Sequence, residues 1–256
     1  MNILFTVCGR AGSKGCKNKN IKEFLGEPLL YYTLSAIDLF IKKNKNNYKN
    51  INVCVNSDST ELLELAKKTN IDISLINREE SLAKDNTPKT DVIMSSVEYC
   101  ENANDIKYDI VVDLDITSPL RTLSDIENAI NRKLKNKDNK VVFSVVEARR
   151  NPYFNMVMND NGNYKLVIDS TYVTRQEAPM VYDMNASIYA YERKYLTEGE
   201  TEKIFEGPCG IIEMIDTGIL DIDSEKDFEL MQVIAKHFFE LNKELNEIRE
   251  NIAMIK

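Results

Sequence analysis

Short apolar runs rich in β-branched residues recur along the chain, and segments with helical spacing follow most of them. Five runs have the length and composition of buried strands: residues 3–8, 51–55, 71–76, 109–114 and 141–146. Four segments place apolar side chains on one helical face: residues 28–44, 60–69, 89–100 and 124–135. This alternation predicts a doubly wound, mostly parallel sheet with helices on both faces, which is a Rossmann-like α/β fold.

Two predicted helices begin with capping signatures. Ser124, followed three residues later by Glu127, predicts a capping box at the start of the helix that ends near residue 135. Residues 223–227 predict a second capped start, followed by one long amphipathic helix over residues 228–248. Both boundaries depend on which side chain accepts the first free backbone N–H groups.

The alternation stops after residue 147. Residues 153–158 and 164–168 flank an Asn/Asp/Gly segment whose Asn161-Gly162 pair suits a hairpin turn. We therefore interpret residues 149–182 as an antiparallel arm inserted into a single domain that spans residues 1–256. Such an arm cannot bury both of its faces alone, so it is predicted to pack on a second copy of the chain. Residues 187–191 and 211–215 are expected to return to the sheet.

Composition excludes several classes of protein. The formal net charge of −8 argues against a general nucleic-acid binder, and no apolar run approaches the roughly eighteen residues that span a bilayer. The five cysteines are scattered and never in C-x-x-C spacing, which predicts reduced thiols in a cytoplasmic protein without a membrane partner. His237 is the only histidine, so no histidine-based triad is expected.

The first predicted strand ends in a glycine-rich, cationic loop. Glycines at positions 9, 12 and 15 allow backbone N–H groups to approach a phosphate. Four cations lie within ten residues: Arg10, Lys14, Lys17 and Lys19. The spacing G-x-x-G-x-x-G is neither the dinucleotide fingerprint nor a P-loop, which argues against a dehydrogenase. The loop predicts a site for a polyanion such as a triphosphate, and the alternative is a flexible, lysine-rich surface loop.

Carboxylates follow two other predicted strand ends. Residues 113–121, Asp-Leu-Asp-Ile-Thr-Ser-Pro-Leu-Arg, begin where an apolar strand ends, which is where ligands bind in open α/β sheets. Asp221 and Asp223 would lie on one face of an extended chain, about 6–7 Å apart along the backbone, and such a pair suits Mg²⁺. The alternatives are a plain strand-to-helix turn and an Asp223 that only caps the last helix.

An arginine on the arm completes the set of candidate residues. Arg175, in Thr-Arg-Gln-Glu-Ala-Pro, could bind a carboxylate through both nitrogens of its guanidinium. Surface arginines often have no specific partner, and that alternative stays open.

Five stretches in chain order carry a family resemblance. They are residues 10–15 with Lys19 and Asn20, then residues 117–121, 175–176, 185–189 and 221–224. Together they resemble the CMP-sialic acid synthetases, or acylneuraminate cytidylyltransferases. The resemblance implies a nucleotidyltransferase that couples CTP to a nine-carbon α-keto acid sugar with Mg²⁺ or another divalent cation such as Mn²⁺. It also implies a homodimer in which the arm reaches the neighbouring active site.

The resemblance implies a role for each matched position. CTP would be bound by Arg10, Ser13, Lys14, Lys19, Asn20, Arg78 and Thr87, and Arg78 with residues 82–89 matches the stretch that contacts cytosine. The sugar would contact Asp115, Thr117, Ser118, Arg175 and Asn185. Asp221 and Asp223 would bind the metal, and Arg10, Lys19 and Asp221 would act in catalysis. The proton acceptor would be Asp221 or a metal-bound water.

Two positions depart from the sialic acid pattern. Asp115 stands where the family has glutamine, and Asp183 stands where it has arginine. Residues 113–115, 148–155 and 182–187 instead resemble the branch that activates legionaminic acid. N,N'-diacetyllegionaminic acid is therefore the predicted acceptor, with sialic acid second and pseudaminic acid third. A nucleotide-binding regulator without turnover is the alternative from another class, and the paired carboxylates argue against it.

Overall fold

The computed structural model describes residues 1–12, 15–197, 207–217 and 221–256. The strands of these ranges are β1 Asn2–Gly9, β2 Glu23–Phe24, β3 Glu27–Pro28, β4 Asn50–Ser57, β5 Ser74–Asn77, β6 Ile110–Leu114, β7 Val141–Glu147, β8 Val157–Asp160, β9 Asn163–Leu166, β10 Tyr182–Glu192 and β11 Cys209–Glu213. The helices are α1 Leu29–Asn44, α2 Thr60–Lys67, α3 Lys89–Asn104, α4 Leu123–Lys135, α5 Arg193–Thr197, α6 Glu225–Leu241 and α7 Lys243–Ile255.

The central sheet of the described ranges has seven strands in the order β11-β7-β10-β6-β1-β4-β5. The pairs β1–β4, β1–β6, β4–β5 and β7–β11 are parallel. Strand β10 alone in this sheet runs antiparallel, between β6 and β7. The predicted mostly parallel α/β fold is confirmed.

Helices cover both faces of the sheet. Along β1, Ile3, Phe5 and Val7 belong to one core cluster, which also contains residues of α1, α2, α4, α6 and α7. Leu4 belongs to a second cluster, with residues of α3 and α5. Because successive side chains of a strand point to opposite faces, the alternation places these two cores on opposite sides of the sheet.

Three parallel strands bring their carboxyl ends to one edge. In the register of the sheet, Gly9 of β1 pairs with Ser57 of β4, and Thr6 of β1 pairs with Asp113 of β6. The segments that follow β1, β4 and β6 therefore leave the sheet side by side. This edge is where α/β sheets bind their ligands.

The predicted start of α4 was wrong by two residues. Thr122, not Ser124, is the N-cap: its hydroxyl accepts a hydrogen bond from the N–H of Asp125, whose carboxylate accepts one from the N–H of Thr122. Ser124 donates its hydroxyl to Glu244 of α7, at 2.7 Å. Asp125, at the third position of the helix, completes the capping box, whereas the prediction assigned that role to Glu127.

The final helix is interrupted, whereas the sequence predicted one helix over residues 228–248. Asn242 has an extended backbone, and its side chain accepts hydrogen bonds from the N–H groups of Glu244 and Leu245. It therefore ends α6 and caps α7. Ser224 caps α6 with Asp227 in a capping box, as predicted. The interruption lets α7 turn back onto α1, where Ser35 donates a hydrogen bond to the carbonyl of Ile248.

The inserted segment contains the predicted hairpin. Strands β8 and β9 pair antiparallel around Asn161 and Gly162, which have positive φ angles of 52° and 91°. Both strands lie mostly in solvent, with Val157 63% and Tyr164 73% exposed. The part that this arm plays in dimerisation stays a prediction.

Two further observations concern membrane-spanning helices and the state of the cysteines. No helix among the described residues is long and apolar enough to cross a membrane. All five cysteines lie in the described ranges, and each is a free thiol.

Candidate active site

A cleft of about 590 Å³ opens at the edge where β1, β4 and β6 end. Its walls come from the loop after β1, from the segment before α3, from the end of β6 and from the segment before α6. The lining residues are Cys8, Arg10, Gly15, Cys16, Lys19, Asn20, Arg78, Leu82, Lys84, Asp85, Thr87, Lys89, Val92, Asp115, Thr117, Asp221 and Asp223.

The cationic loop forms one wall of this cleft. Arg10 is ion-paired with Asp85, and its carbonyl accepts a hydrogen bond from the amide of Asn20 at 3.2 Å. The Lys19 ammonium donates to the carbonyl of Ile222 at 2.7 Å and lies 3.4 Å from Asp223 Oδ1. The loop is thus held as a cationic wall, which suits an anionic ligand. The predicted residues Ser13 and Lys14 lie outside the described ranges.

Gly15 is the point of closest approach between this loop and the segment before α6. A Cβ atom at Gly15 would lie only 1.9 Å from the carbonyl oxygen of Asp223, closer than real Cβ contacts come. A residue without a side chain is therefore required here. The contact joins residues far apart in the chain into one wall.

Arg78 and Thr87 line the neighbouring wall. Arg78 is 9% exposed, and its guanidinium donates to the side-chain and main-chain oxygens of Asn56, at 2.9 and 2.8 Å. Burial lowers the pKa of Arg78 from its usual value. Because β4 fixes Asn56, the position of this guanidinium is set by the sheet.

Asp113 and Asp115 stand at the end of β6 with Lys89 between them. The Lys89 ammonium lies 2.8 Å from Asp113 Oδ2 and 2.7 Å from Asp115 Oδ2. Asp115 Oδ1 accepts from both the N–H and the hydroxyl of Thr117, at 2.9 and 2.7 Å. Burial raises the pKa of Asp115, but Lys89 and Thr117 outweigh it and hold that pKa well below its usual value. Asp115 is therefore a fixed, ionised acceptor on the wall of the cleft.

Asp221 and Asp223 both line the cleft, whereas Ile222 between them is fully buried. Burial and repulsion from Asp115 raise the pKa of Asp221. No three His, Cys, Asp or Glu side chains of the described ranges form a metal site by themselves. Mg²⁺ is commonly held by one or two carboxylates, with water and substrate phosphates in its other positions. The pair fits that requirement, and a cation would relieve the repulsion that raises the pKa of Asp221.

Arg121 fixes the geometry of this wall from behind. It is 2% exposed, and its guanidinium donates to the carbonyls of Asp115 and Ser187, at 2.6 and 2.9 Å, and to the Ser187 hydroxyl at 3.0 Å. It therefore links the segment after β6 to the middle of β10. Leaving these buried carbonyls without a donor costs about 1–3 kcal/mol each.

Three predicted sugar-binding residues lie away from the cleft of their own chain. Ser118 and Asn185 line a small neighbouring recess, where the Asn185 side chain accepts from the Ser144 hydroxyl and contacts Met214. Arg175 lies beside Glu147 on the arm, with its guanidinium 2.9 Å from the carbonyl of Ala148. Among the predicted sugar-binding residues, only Asp115 and Thr117 line the cleft.

The sequence missed several residues of the cleft. Cys8 lies on a strand that was predicted only as core, and the pairing of Asp85 with Arg10 was not predicted. Lys89 was predicted as the end of the stretch that contacts cytosine and as the start of a helix, not as a partner of Asp113 and Asp115. Its signal was available, because a lysine in the first turn of a helix opposes the helix dipole and calls for a local anionic partner.

The fold is shared with a known structure. It matches the solved structure of CMP:2-keto-3-deoxy-manno-octonic acid synthetase complexed with CTP, with a TM-score of 0.64 and 14% identity over 93% of this chain and 99% of that chain. At this identity the match establishes the fold alone. The sequence pattern of the cytidylyltransferase family matches residues 4–244, so the chain belongs to the cytidylyltransferase family and is an enzyme.

Two bacterial proteins are more similar to this chain in sequence than that solved structure is. The CMP-N,N'-diacetyllegionaminic acid synthase of Campylobacter jejuni is 35% identical over 91% of this chain and 94% of its own length. The post-translational flagellin modification protein B of Campylobacter coli is 33% identical over 91% of this chain and 95% of its own length. The family resemblance predicted from the motifs is confirmed.

Proposed function

We propose that the enzyme transfers CMP from CTP to N,N'-diacetyllegionaminic acid and releases pyrophosphate. The observation that carries the proposal is the meeting, in one cleft, of a cationic loop from the first strand and an aspartate pair from near the end of the chain. The similarity to the legionaminic acid synthase supports the choice of acceptor. Sialic acid is the second candidate.

The cationic wall would receive the triphosphate. Arg10 and Lys19, with Asn20 beside them, would neutralise the charge that grows on the departing pyrophosphate. Arg78 and Thr87, on the neighbouring wall, are proposed to contact the cytosine. Phosphoryl chemistry of this kind depends mainly on positioning and charge neutralisation, which fixed side chains supply.

The reaction would be an in-line attack by the anomeric hydroxyl of the sugar on the α-phosphorus of CTP. The new P–O bond forms as the bond to the β-phosphate breaks, and the hydroxyl proton goes to a base. Asp221 is the proposed base, because its carboxylate lines the cleft that would receive both substrates. Asp221 and Asp223 would also hold Mg²⁺ or Mn²⁺, which when bound neutralises phosphate charge.

We propose that the sugar carboxylate is bound by Arg175 of a second copy of the chain. In its own chain this arginine lies beside Glu147 and the carbonyl of Ala148, outside the cleft. The arm also exposes large apolar side chains, among them Val173 at 80% and Met180 at 67%, which a second copy would cover. A homodimer with exchanged arms would bring Arg175 to the cleft of the neighbour.

The enzyme is proposed to be cytoplasmic, because its five cysteines are all free thiols.

Pyrophosphate release tests the function. Purified enzyme receives CTP and Mg²⁺ with legionaminic, sialic or pseudaminic acid in separate reactions. We expect the fastest release with legionaminic acid and a slower release with sialic acid. A faster reaction with sialic acid would replace the acceptor, and no release with any acid, together with CTP binding, would favour a regulator.

A further inference from the structure

Lys89 occupies a position that the proposed chemistry does not explain. It is the first residue of α3, and its ammonium lies within 2.8 Å of a carboxylate oxygen of Asp113 and 2.7 Å of one of Asp115. We call these three residues the Lys89 clamp. Two aspartates against one lysine leave the clamp with one net negative charge, in a cleft that would receive a triphosphate.

Neither helix stability nor phosphate binding accounts for the lysine. A cation at the amino end of a helix opposes the helix dipole, so α3 gains nothing from it. The Lys89 ammonium lies within 2.8 Å of two carboxylates, whereas Arg10 and Lys19 each lie beside only one among the described residues and are better placed to serve an anion. Lys89 therefore acts on the two aspartates.

The two aspartates are not equivalent. The side chain of Asp113 is fully buried; its Oδ1 accepts from the Thr6 hydroxyl at 2.8 Å, and its Oδ2 faces Lys89. No ligand can reach it, so it serves as an anchor for the lysine. The Asp115 side chain is 22% exposed and lines the cleft. The clamp thus ties an accessible carboxylate to the interior of the sheet.

A carboxylate has about four positions for accepting hydrogen bonds, two on each oxygen. Thr117 fills both positions on Asp115 Oδ1, and Lys89 fills one on Oδ2. One position on Oδ2 remains, on the side chain that faces the cleft. Since the carboxylate is ionised and fixed, that position can accept a hydrogen bond but cannot donate one.

Resting on the proposed function, we propose that Lys89 is a positioning residue for acceptor recognition. It fixes Asp115 so that the remaining position on Oδ2 accepts a hydrogen bond from a hydroxyl or acylamino N–H of the sugar. The clamp then favours acceptors that place a donor there. A group that can only accept would leave the carboxylate desolvated without a partner.

The test compares Lys89→Met with wild type, measuring KM for the acceptor at saturating CTP and KM for CTP at saturating acceptor. We expect the acceptor KM to rise by roughly tenfold or more, the effect of losing one charge-assisted hydrogen bond, with little change in the KM for CTP. Lys89→Arg, which can also bridge two carboxylates, should recover part of the loss. Lys42→Met is the matched control, because Lys42 pairs with the mostly buried Asp38 at 2.6 Å outside the cleft.

Removal of the lysine leaves Asp113 buried without its cation, which can prevent folding. The double variant Lys89→Met/Asp113→Asn removes both charges and is measured in the same way. Asp115→Asn, which keeps the lysine, should raise the acceptor KM as well, because the amide can present a donor where the carboxylate only accepts.

Three results would overturn the proposal. An unchanged acceptor KM in the foldable Lys89 variant would show that the clamp does not serve the sugar. A rise confined to the KM for CTP would make Lys89 a nucleotide-binding residue. If the wild-type enzyme turned over none of the acids, the proposed function and this inference would both fail. If wild type is active and the Lys89 variant keeps its acceptor KM, only this inference fails.

Discussion

The cleft and the arm are built in opposite ways. In the cleft, side chains are fixed by groups that belong to the sheet: Lys89 by Asp113, and Arg78 by Asn56. On the arm, the strands of the hairpin pair with each other, and Val157 and Tyr164 are 63% and 73% exposed. The cleft is preorganised within one chain, whereas the arm has apolar surface that its own chain does not cover.

This difference separates the two halves of the proposed reaction. Nucleotide binding and phosphate chemistry require fixed charges, and one chain supplies them in the cleft. The proposed contact to the sugar carboxylate requires Arg175, which lies outside the cleft of its own chain. A change in the cleft should therefore abolish turnover at the site of the chain that carries it. A change in the arm should be compensated by a second copy whose arm is intact.

The largest expected effect is in the cleft. Asp223→Asn should lower kcat by about a thousandfold, because charge stabilisation by a bound metal is worth several kcal/mol. The circular dichroism spectrum and the melting temperature should stay as in wild type, since the side chain is 79% exposed. Asp138→Asn, an exposed aspartate before β7, is the control and should keep full activity. Normal turnover in the Asp223 variant would remove the metal assignment.

Two glycine substitutions compare the regions directly. Gly15→Ala would place a Cβ against the Asp223 carbonyl and separate the two walls, so kcat/KM should fall by roughly a hundredfold. Gly162→Ala introduces strain at a φ of 91°, but in the exposed hairpin turn, where activity should fall by about twofold at most. Steady-state kinetics with CTP and legionaminic acid measure both. Equal losses in the two variants would contradict the division between cleft and arm.

Mixing two impaired variants tests whether the arm serves a neighbour. Arg175→Ala should lose about tenfold to a hundredfold in activity through the acceptor KM, as expected for a lost charge-assisted contact. If Arg175 acts on the partner's cleft, an equal mixture with Asp223→Asn, after exchange of subunits, should recover about a quarter of wild-type activity. Half of the dimers then contain one copy of each variant. In each of these dimers, one of the two sites combines an intact cleft with an intact Arg175 from the other copy. Activity that stays at the mean of the two variants would place Arg175 within its own chain.

The smallest effect on folding is expected at the tip of the arm. Val157→Ser and Tyr164→Ser should change the free energy of unfolding of one chain by less than about 0.5 kcal/mol, since both side chains are exposed. If these side chains lie in a dimer interface, the dimer dissociation constant should rise about tenfold, as measured by analytical ultracentrifugation. Met254→Ser, exposed at the end of α7, is the control. Unchanged association in the arm variants would move the interface elsewhere.

Local patterns predicted much of the sheet. The apolar runs at β1, β6 and β7 have strand length and composition, and the structure places all three in the sheet. The position of β10 between β6 and β7 could not be derived in the same way, because pairing between distant strands depends on the packing of the whole sheet. The interruption at Asn242 was missed because the apolar pattern continues through it.

Motifs predicted the walls of the cleft but not their connections. Arg10, Lys19, Asp221 and Asp223 belong to recognisable stretches, and all line one cleft. Asp113 belongs to a predicted stretch, but its pairing with Lys89 could not be predicted, because only the packing of α3 beside β6 brings the two together. Asn185 and Arg175 were predicted as partners of the sugar, but a single chain does not bring them to the cleft.

A competition experiment tests the central claim most directly. Equal amounts of legionaminic, sialic and pseudaminic acids share one reaction with limiting CTP and Mg²⁺, and the CMP-sugars are separated by chromatography and identified by mass spectrometry. The product ratios then give the ratios of kcat/KM. We predict CMP-N,N'-diacetyllegionaminic acid as the main product, with one pyrophosphate released per CMP-sugar. A main product of CMP-sialic acid, or CTP bound without any CMP-sugar, would contradict the account.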